Sequence, residues 1–246
     1  MKTLGIIPAR FASTRFPGKP LALLKGKPII QWVWEQAGKS NGLDGLLVAT
    51  DDERISGCVK SFGGEVFMTS PDHPSGTDRC AEVLRGFPAG EWELAINIQG
   101  DEPFINPAAI DQLVDLLHAP YSPAIATLAR PISSPEHLFN PNVVKVVVSK
   151  FGQALYFSRH PLPYNRNLDR EAWLSAYTYL QHIGLYGFRG QALLEISKLP
   201  PSPLELAESL EQLRWLENGY TIAVGVTDYV SIGIDTPEDL EAAGRL

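Results

Sequence analysis

Residues 4–20 read LGIIPARFASTRFPGKP, a short apolar run that leads directly into a basic loop. The apolar run, residues 4–8, has the length and composition of a buried strand. The loop that follows is rich in Gly, Pro and Ser and extends to Pro20. Because it follows a buried strand, its backbone amides and the side chains of Arg10, Arg15 and Lys19 should face a crevice beyond the strand end. This stretch therefore predicts an α/β fold with an anion-binding loop after its first strand.

Strand-like and helix-like segments alternate over the next hundred residues. Further strands are predicted at residues 46–50, 65–68 and 94–98. Helices are predicted at residues 28–38, 51–62, 77–84 and 110–117. This alternation is typical of a mostly parallel sheet with helices on both faces, in which ligands bind beyond the carboxyl ends of the strands. We therefore expect the loops after residues 8, 50 and 98 to share one crevice.

The second half of the chain has a different, β-rich pattern. Strands are predicted at residues 124–130, 143–148, 154–158 and 182–188, and a long helix at 202–218. Residues 222–226 and 232–235 are expected to be the strands that close the sheet. Thr236 and Pro237 then begin a last helix as its N-cap and first helical residue. We expect a single domain over residues 1–246, with a β-rich lobe inserted at about residues 124–190.

Composition and charge exclude several classes of protein. The chain has 246 residues, of which 44% are hydrophobic, and a net charge of −7, so it can bury a core but lacks the basic surface of a nucleic-acid or membrane-surface binder. No run approaches the roughly 18 apolar residues of a membrane span, and the first apolar run is too short for a signal peptide. Cys58 and Cys80 cannot form a disulfide framework. We expect a cytoplasmic protein without nucleic-acid or membrane partners.

The cations of the N-terminal segment are concentrated in a way that suits a phosphate ligand. Before the first acidic residue, Glu35, the chain carries Lys2, Arg10, Arg15, Lys19, Lys25 and Lys27. A triphosphate requires charge-assisted donors from several directions, and cations also stabilise the charge that develops on leaving pyrophosphate. The loop is not a Walker loop, because Gly-x-x-x-x-Gly-Lys-Ser/Thr is absent. The alternative interpretation is a solvated basic loop without a ligand.

Two carboxylates lie at predicted strand ends. Asp101 occurs in IQGDEP (residues 98–103) and Asp235 in IGIDTP (residues 232–237). Carboxylate oxygens are ligands that Mg²⁺ prefers, and substrate phosphates complete its shell. Asp101 could instead be a turn residue, and Asp235 could interact with the dipole of the helix that follows it. Beside a phosphate-binding loop, the metal interpretation is favoured.

Eight motifs in this chain resemble those of the 3-deoxy-manno-octulosonate cytidylyltransferase (CMP-Kdo synthetase) family. In collinear order they are IPARFASTRFPGKP (7–20), ATDD (49–52), DHPSGTDR (72–79), NIQGDEP (97–103), LYFSR (155–159), HIGLYG (182–187), LEQLR (210–214) and GIDTP (233–237). The resemblance implies a Rossmann-like nucleotidyltransferase fold and a homodimer. It also implies Mg²⁺-dependent transfer of CMP from CTP to 3-deoxy-D-manno-octulosonate (Kdo), with release of pyrophosphate, which activates Kdo for lipopolysaccharide synthesis.

The resemblance also implies roles for individual residues. The implied nucleotide-binding residues are Pro8, Ala9, Arg10, Ser13, Thr14, Arg15, Lys19, Ser75, Gly76, Thr77, Arg79 and Asp101. The implied sugar-binding residues are Gln99, Arg159, His182, Tyr186, Glu211 and Gln212. Asp101 and Asp235 would bind the metal, and Arg15 and Lys19 would act with them in catalysis. The inserted lobe would serve sugar binding and dimerisation.

Several alternatives remain open from the sequence. Arg159 has independent physical support, because Kdo carries a carboxylate that a guanidinium can bind in a bidentate manner. For His182, packing within a strand is the favoured interpretation from the residues alone. The substrate could be a different acidic sugar, such as a sialic acid or 8-amino-Kdo. A non-catalytic nucleotide-binding sensor would keep the basic loop but could lose the two carboxylates.

Overall fold

The computed structural model describes residues 1–12 and 15–245, which form a sheet covered by helices on both faces. The strands are β1 (Thr3–Ala9), β2 (Leu23–Leu24), β3 (Lys27–Pro28), β4 (Gly45–Thr50), β5 (Val66–Met68), β6 (Leu94–Asn97), β7 (Ile125–Pro131), β8 (Lys145–Val148), β9 (Ala154–Ser158), β10 (Leu180–Arg189) and β11 (Ile222–Val226). The helices are α1 (Ile29–Ala37), α2 (Glu53–Ser61), α3 (Gly76–Arg85), α4 (Pro107–His118), α5 (Pro135–Phe139), α6 (Trp173–Ala176), α7 (Gly190–Ile196), α8 (Pro203–Glu208), α9 (Glu211–Glu217) and α10 (Pro237–Gly244). Short 3-10 helices occur at Lys19–Leu21 and Arg170–Ala172.

In the described part of the chain, nine strands form one mixed sheet. The order along the sheet is β11-β7-β10-β6-β1-β4-β5, and β8 joins both β10 and β9. The pairs β1–β4, β1–β6, β4–β5 and β11–β7 are parallel, whereas β10 is antiparallel to β6, β7 and β8. The predicted mostly parallel sheet with helices on both faces is therefore confirmed, with β10 as the antiparallel strand within it.

The first strand shows why the sheet is buried on both faces. Side chains alternate between the two faces of a strand, and Leu4 and Ile6 pack in one apolar cluster while Ile7 and Ala9 pack in the other. One cluster includes residues of α1, α2, α4 and α10, and the other includes residues of α3, α7 and α9. A strand covered on both faces requires a continuous apolar run, and this is the pattern that predicted β1 from the sequence.

Because β10 runs antiparallel to β7, the long segment between these two strands begins and ends at one edge of the sheet. Since β7 runs parallel to β11 and antiparallel to β10, the chain leaves β7 and enters β10 at the same edge. The intervening residues, 132–179, therefore begin and end at the carboxyl edge of β1 and β6. They contain the β8–β9 hairpin and a small separate cluster of Ile132, Leu138, Trp173 and Tyr179. Of the lobe predicted at residues 124–190, β7, β8, β9 and β10 are thus strands of the main sheet, and the separately packed part is the small cluster between β7 and β10.

Two predicted elements are wrong. The single helix predicted at residues 202–218 is divided into α8 and α9, because Ser209 adopts a left-handed conformation (φ 52°) and Leu210 is extended. The strand predicted at residues 232–235 does not form, because this stretch has no ladder partner and is held instead through the buried Ile234, whose amide donates to the Asp101 carbonyl at 2.9 Å.

The start of the last helix agrees with the sequence. Thr236 is the N-cap of α10 and Pro237 its first residue, in a capping box in which Thr236 and Asp239 bind each other's backbone amides. No helix in residues 1–12 and 15–245 is both long enough and apolar enough to span a bilayer.

Candidate active site

A cavity of about 330 Å³ lies where the loops after β1 and β6 meet the start of α3. Nine of the predicted nucleotide-binding residues line it: Pro8, Ala9, Arg10, Arg15, Lys19, Ser75, Gly76, Arg79 and Asp101. Gln99 and Asp235 also line it. Thr77 is buried beside it in α3, and Ser13 and Thr14 lie outside the described residues. The structure therefore brings the basic loop and both predicted metal-binding carboxylates into one cavity.

The two loops are close together because their strands are neighbours. β1 and β6 pair in parallel, so their carboxyl ends lie side by side. Gly100 follows β6 and packs directly on β1, where an added Cβ would lie 2.7 Å from the carbonyl oxygen of Pro8. Real side chains do not tolerate this separation, so glycine is required for the close approach of the two loops.

A charged cluster occupies the cavity wall beside Gly100. The Lys19 ammonium lies 2.6 Å from Asp101 Oδ2 and 3.2 Å from Asp235 Oδ1. The Arg15 guanidinium lies 3.1 Å from the same oxygen of Asp235. The side chain of Lys19 is only 13% exposed, whereas that of Arg15 is 65% exposed. Lys19 is therefore fixed between the two carboxylates, while Arg15 remains accessible to a ligand in the cavity.

Asp239, rather than Asp235, satisfies the backbone amides at the start of α10. The backbone amides of Asp235 and Thr236 both donate to Asp239 Oδ2, at 3.0 and 2.9 Å. These bonds hold the pKa of Asp239 below its ordinary value. Because Asp239 satisfies the start of α10, the carboxylate of Asp235 is not needed there and points to Lys19 and Arg15 instead.

This donor set is compatible with a magnesium ion that arrives with a triphosphate. A single cationic atom, Lys19 Nζ, is within hydrogen-bond distance of both Asp101 and Asp235, so one cation can be shared between these carboxylates. Among residues 1–12 and 15–245 no three His, Cys, Asp or Glu side chains form a metal-binding group. Mg²⁺ in nucleotide enzymes is held by one or two carboxylates, with phosphates and water as its other ligands. Asp101 and Asp235 could hold it in this manner.

The N-terminus of α3 forms another part of the cavity lining. Ser75 is its N-cap and accepts a hydrogen bond from the Asp78 amide at 3.1 Å. Arg79, only 4% exposed, donates to Thr69 Oγ1 and forms an ion pair with Asp51 at 3.1 Å. Asp51 directly follows β4, so this loop contributes to the cavity indirectly by fixing Arg79. Of the three loops expected to share one crevice, those after β1 and β6 therefore line it.

The predicted sugar-binding residues extend from this cavity toward α9 and β10. Gln99 lines the cavity, and its Nε2 donates to the Gly184 carbonyl at 2.9 Å. Glu211 accepts hydrogen bonds from Ser75 Oγ at 3.0 Å and Thr77 Oγ1 at 2.9 Å. Burial raises the pKa of Glu211, and these hydroxyls oppose that shift. Glu211 therefore joins α9 to the start of α3.

Two more of these residues lie on β10. His182 Nε2 is 3.1 Å from Thr127 Oγ1, and its ring packs edge-on against Phe157 with centroids 5.0 Å apart. Burial lowers the pKa of His182 to about 3, so the imidazole is neutral at physiological pH. The buried hydroxyl of Tyr186 has no hydrogen-bond partner among the described residues. The packing expected for His182 is thus observed, while a contact of either residue with sugar stays a prediction.

Arg159 lies outside the lining of the cavity, at the end of β9. Its Nε donates to the Glu208 carbonyl at 2.7 Å, Nη2 to the Ser209 carbonyl at 3.2 Å and Nη1 to the Pro141 carbonyl at 3.1 Å. A guanidinium has five N–H donors, so two have no partner among the described residues and could bind another ligand. Gln212, on α9, is 5% exposed. The sugar-binding roles of both residues stay predictions.

Known relatives share this architecture and sequence. A family model described as cytidylyltransferase matches residues 4–222. The 3-deoxy-manno-octulosonate cytidylyltransferase of Parabacteroides distasonis is 56% identical, over 99% of this chain and 97% of its own length. The 3-deoxy-manno-octulosonate cytidylyltransferase of Thermodesulfovibrio yellowstonii is 52% identical, over 100% of this chain and 98% of its own length. The chain belongs to this family. A solved structure of CMP:2-keto-3-deoxy-manno-octonic acid synthetase complexed with CTP matches it with a TM-score of 0.92 and 42% identity, covering 100% of this chain and 98% of that one.

These matches confirm the family that the eight motifs indicated.

The structure of this cytidylyltransferase also shows two buried or hydrogen-bonded residues that sequence reasoning missed, Lys145 and Glu208. Lys145 is fully buried and donates to the Asn140 and Val143 carbonyls, at 3.0 and 2.5 Å. Glu208 accepts from Ser158 Oγ at 2.6 Å and from the Arg159 amide at 2.9 Å. The available signal for Lys145 was its place in the run VVKVVV, residues 143–148, where a lysine interrupts five valines.

We predict that Lys145 makes the stability of this enzyme depend on pH in the alkaline range. Burial lowers its pKa from an ordinary 10.5 to about 8. Between these values the unfolded chain binds a proton that the folded chain does not, so the free energy of unfolding should rise with pH. Relative to Lys145→Met, the wild type should gain about 2 kcal/mol between pH 8 and pH 10, measured by urea denaturation.

The matched control for this measurement is Lys150→Met, at an exposed lysine nearby. Its difference from the wild type should stay constant over the same pH range. A constant difference for Lys145→Met as well would show that its ammonium titrates normally.

Proposed function

We propose that this chain transfers CMP from CTP to Kdo, releasing pyrophosphate, and that Asp101 and Asp235 hold the Mg²⁺ the reaction uses. The observation that supports this best is the position of Lys19, whose ammonium lies within 3.2 Å of both carboxylates in a cavity bordered by the basic loop. A site for a metal-bound triphosphate needs carboxylates for the metal and cations for the phosphates at the same place.

The basic loop would bind the phosphate oxygens of the triphosphate, and the two carboxylates would bind its metal ion. Arg10, Arg15 and Lys19 would bind its oxygens, and Arg15 and Lys19 would offset the charge that develops on the leaving pyrophosphate. Mg²⁺ held by Asp101 and Asp235 would further neutralise the phosphate charge. In the reaction the anomeric oxygen of Kdo forms a bond to the α-phosphorus, the bond from that phosphorus to pyrophosphate breaks, and the hydroxyl proton is released.

The remaining walls would bind the two organic parts of the substrates. Ser75, Gly76 and Arg79 would contact cytidine, because the N-terminus of α3 and a fixed guanidinium face the cavity. Gln99, Glu211 and Tyr186 would contact Kdo. The unpartnered Tyr186 hydroxyl supports this assignment, because a buried polar group without a partner is unfavourable until a ligand or water supplies one.

Release of pyrophosphate tests the proposal directly. Protein, CTP, Mg²⁺ and Kdo should release pyrophosphate together, and omission of any one should abolish release. Binding of CTP without turnover would support the non-catalytic sensor. A panel with CTP fixed and Kdo, 8-amino-Kdo or a sialic acid supplied in turn would identify the sugar, since discrimination between close analogues can depend on one or two polar contacts.

Substitution of the two carboxylates should separate catalysis from folding. We expect Asp101→Asn and Asp235→Asn to lower kcat by about two orders of magnitude or more, because each removes charge that would hold the cation. Steady-state pyrophosphate release at saturating Mg²⁺ measures this. Asp239→Asn is the matched control, since it alters a carboxylate of the same segment that contacts backbone amides rather than Lys19. Near-normal turnover of both Asn variants would contradict the assignment.

We predict that Arg159 binds the carboxylate of Kdo with its two remaining N–H donors. Arg159→Ala should reduce kcat/KM for Kdo about ten- to a hundredfold, which corresponds to one charged hydrogen bond. CTP affinity without sugar should be unchanged, because Arg159 lies outside the CTP cavity. Lysine should rescue only partly, because it lacks the planar fork.

A loss of structure at the α8–α9 turn could imitate this effect, and Glu208→Ala controls for it. That variant removes bonds to Ser158 and the Arg159 amide but keeps the guanidinium. Comparison of Kdo with its neutral carboxyl-amide analogue then decides the role. If Arg159→Ala loses as much with the neutral analogue as with Kdo, Arg159 serves the fold of the turn.

We also propose that the enzyme is a cytoplasmic homodimer. Both cysteines are free thiols, which suits a reducing compartment. Tyr164, Leu168 and Tyr177 are exposed on the segment between β7 and β10, and neighbouring exposed apolar residues commonly mark an interface. Sedimentation equilibrium should find a dimer for the wild type and Leu206→Glu, and a monomer for Leu168→Glu. A monomeric wild type would contradict the proposal.

A further inference from the structure

Asp235 reaches the cavity on a segment that has no regular secondary structure. Residues 227–236, between β11 and α10, form neither helix nor strand. The Thr227 amide bonds the Ala129 carbonyl at 2.9 Å at the beginning of this segment, and the Ile234 amide bonds the Asp101 carbonyl at 2.9 Å near its end. The position of the Asp235 carboxylate relative to Asp101 therefore depends on how this segment is held.

Glu102 holds the middle of the segment. It directly follows Asp101, is 6% exposed, and uses both of its carboxylate oxygens. Oε2 accepts a hydrogen bond from the Tyr229 hydroxyl at 2.7 Å, and Oε1 accepts one from the Ser231 hydroxyl at 2.7 Å. A residue adjacent to one cavity carboxylate is thus bonded twice to the segment that carries the other.

The cost of burying this carboxylate argues for a role beyond packing. No basic residue in the described chain forms an ion pair with Glu102. Buried carboxylates without a cationic partner are unfavourable, and an apolar side chain would fill the same volume at lower cost. What an apolar residue could not supply is a fixed link to two hydroxyls of the 227–236 segment.

We propose that Glu102 is a positioning residue: by binding Tyr229 and Ser231 it sets the separation of the Asp101 and Asp235 carboxylates, and with it their joint affinity for a divalent cation. This inference rests on the proposed function, because it takes these aspartates as the ligands of the cation. Partners behind metal ligands commonly change metal affinity about 10- to 100-fold when they are removed.

The first experiment measures cation affinity without turnover. Mn²⁺ binding to the full chain is followed by electron paramagnetic resonance with CTP present and sugar omitted. Glu102→Ala and Tyr229→Phe should weaken Mn²⁺ binding about tenfold or more. Glu102→Gln should retain most of the affinity, because an amide can accept from one hydroxyl and donate to the other. Should Glu102→Ala be poorly folded, Tyr229→Phe and Ser231→Ala each remove a single bond.

The second experiment measures the segment itself. Hydrogen–deuterium exchange of residues 228–236, including the Ile234 amide, should accelerate in Tyr229→Phe and remain slow in Glu102→Gln. Tyr220→Phe is the matched control, because the Tyr220 hydroxyl also donates to a glutamate, Glu195 Oε2, at 2.9 Å. Neither of these residues lines the cavity. The control variant should change neither exchange in this segment nor Mn²⁺ affinity.

The outcomes distinguish the inference from the proposed function. Unchanged Mn²⁺ affinity in both Glu102→Ala and Tyr229→Phe overturns the inference, as does faster exchange without any loss of affinity, since Glu102 would then be merely structural. Equal losses in Glu102→Gln and Glu102→Ala overturn it too, because charge rather than bonding geometry would be responsible. A wild type that binds Mn²⁺ with the expected dependence on Glu102 but releases no pyrophosphate contradicts the proposed function alone.

Discussion

The parallel pairing of β1 with β6 is the constraint on which the site depends. It runs from Thr3 opposite Leu94 to Ile6 opposite Asn97, and so brings Lys19 and Asp101, which are 82 residues apart in sequence, to one edge of the sheet. Lys19 and Asp101 meet there at 2.6 Å. The approach is possible because Gly100 presents no side chain to the Pro8 carbonyl. Cations, carboxylates and the start of α3 are neighbours only while this pairing is maintained.

The charge distribution follows from the same arrangement. The chain carries a net charge of −7, and an acidic protein repels anionic substrates unless cations are concentrated where they bind. In the absence of substrate those cations need counter-ions, and Asp101 and Asp235 provide them for Lys19 and Arg15. An incoming metal–nucleotide complex would bring both charges at once, so each member of the cluster could exchange an internal partner for an external one.

Sequence predicts the parts of the fold in which the residue pattern is compatible with only one local structure. Residues 4–9 are apolar throughout because β1 is covered on both faces, and Thr236 with Pro237 defines a helix start by local chemistry alone. The basic loop and Asp101 were likewise identifiable, because strand-end residues of a parallel sheet meet at one edge. Asp235 was assigned to the end of a strand that does not form, and it reaches the cavity because the Ile234 amide bonds the Asp101 carbonyl. The predictions failed where tertiary context decides. Ser209 interrupts a helical pattern with a left-handed residue, and Ile234 is apolar because one side chain is buried, not because it lies in a strand. Neither the carbonyl partners of Arg159 nor the hydroxyl partners of Glu102 have a sequence signature, since they come from other segments that only the fold brings together.

The antiparallel direction of β10 has a consequence for how such an enzyme can change its substrate. Because the chain leaves β7 and enters β10 at the same edge, the two ends of residues 132–179 lie side by side, and the segment is also joined to the sheet where β8 pairs with β10 and the Val224 amide bonds the Gly152 carbonyl. A loop closed in this manner can vary in length at small entropic cost, which grows only as the logarithm of its length. The parts of this segment outside the β8–β9 hairpin, residues 132–144 and 159–179, contribute no strand to the sheet. Their length and sequence could therefore change, and another acidic sugar be admitted, while the strands of the sheet and the basic loop remain as they are.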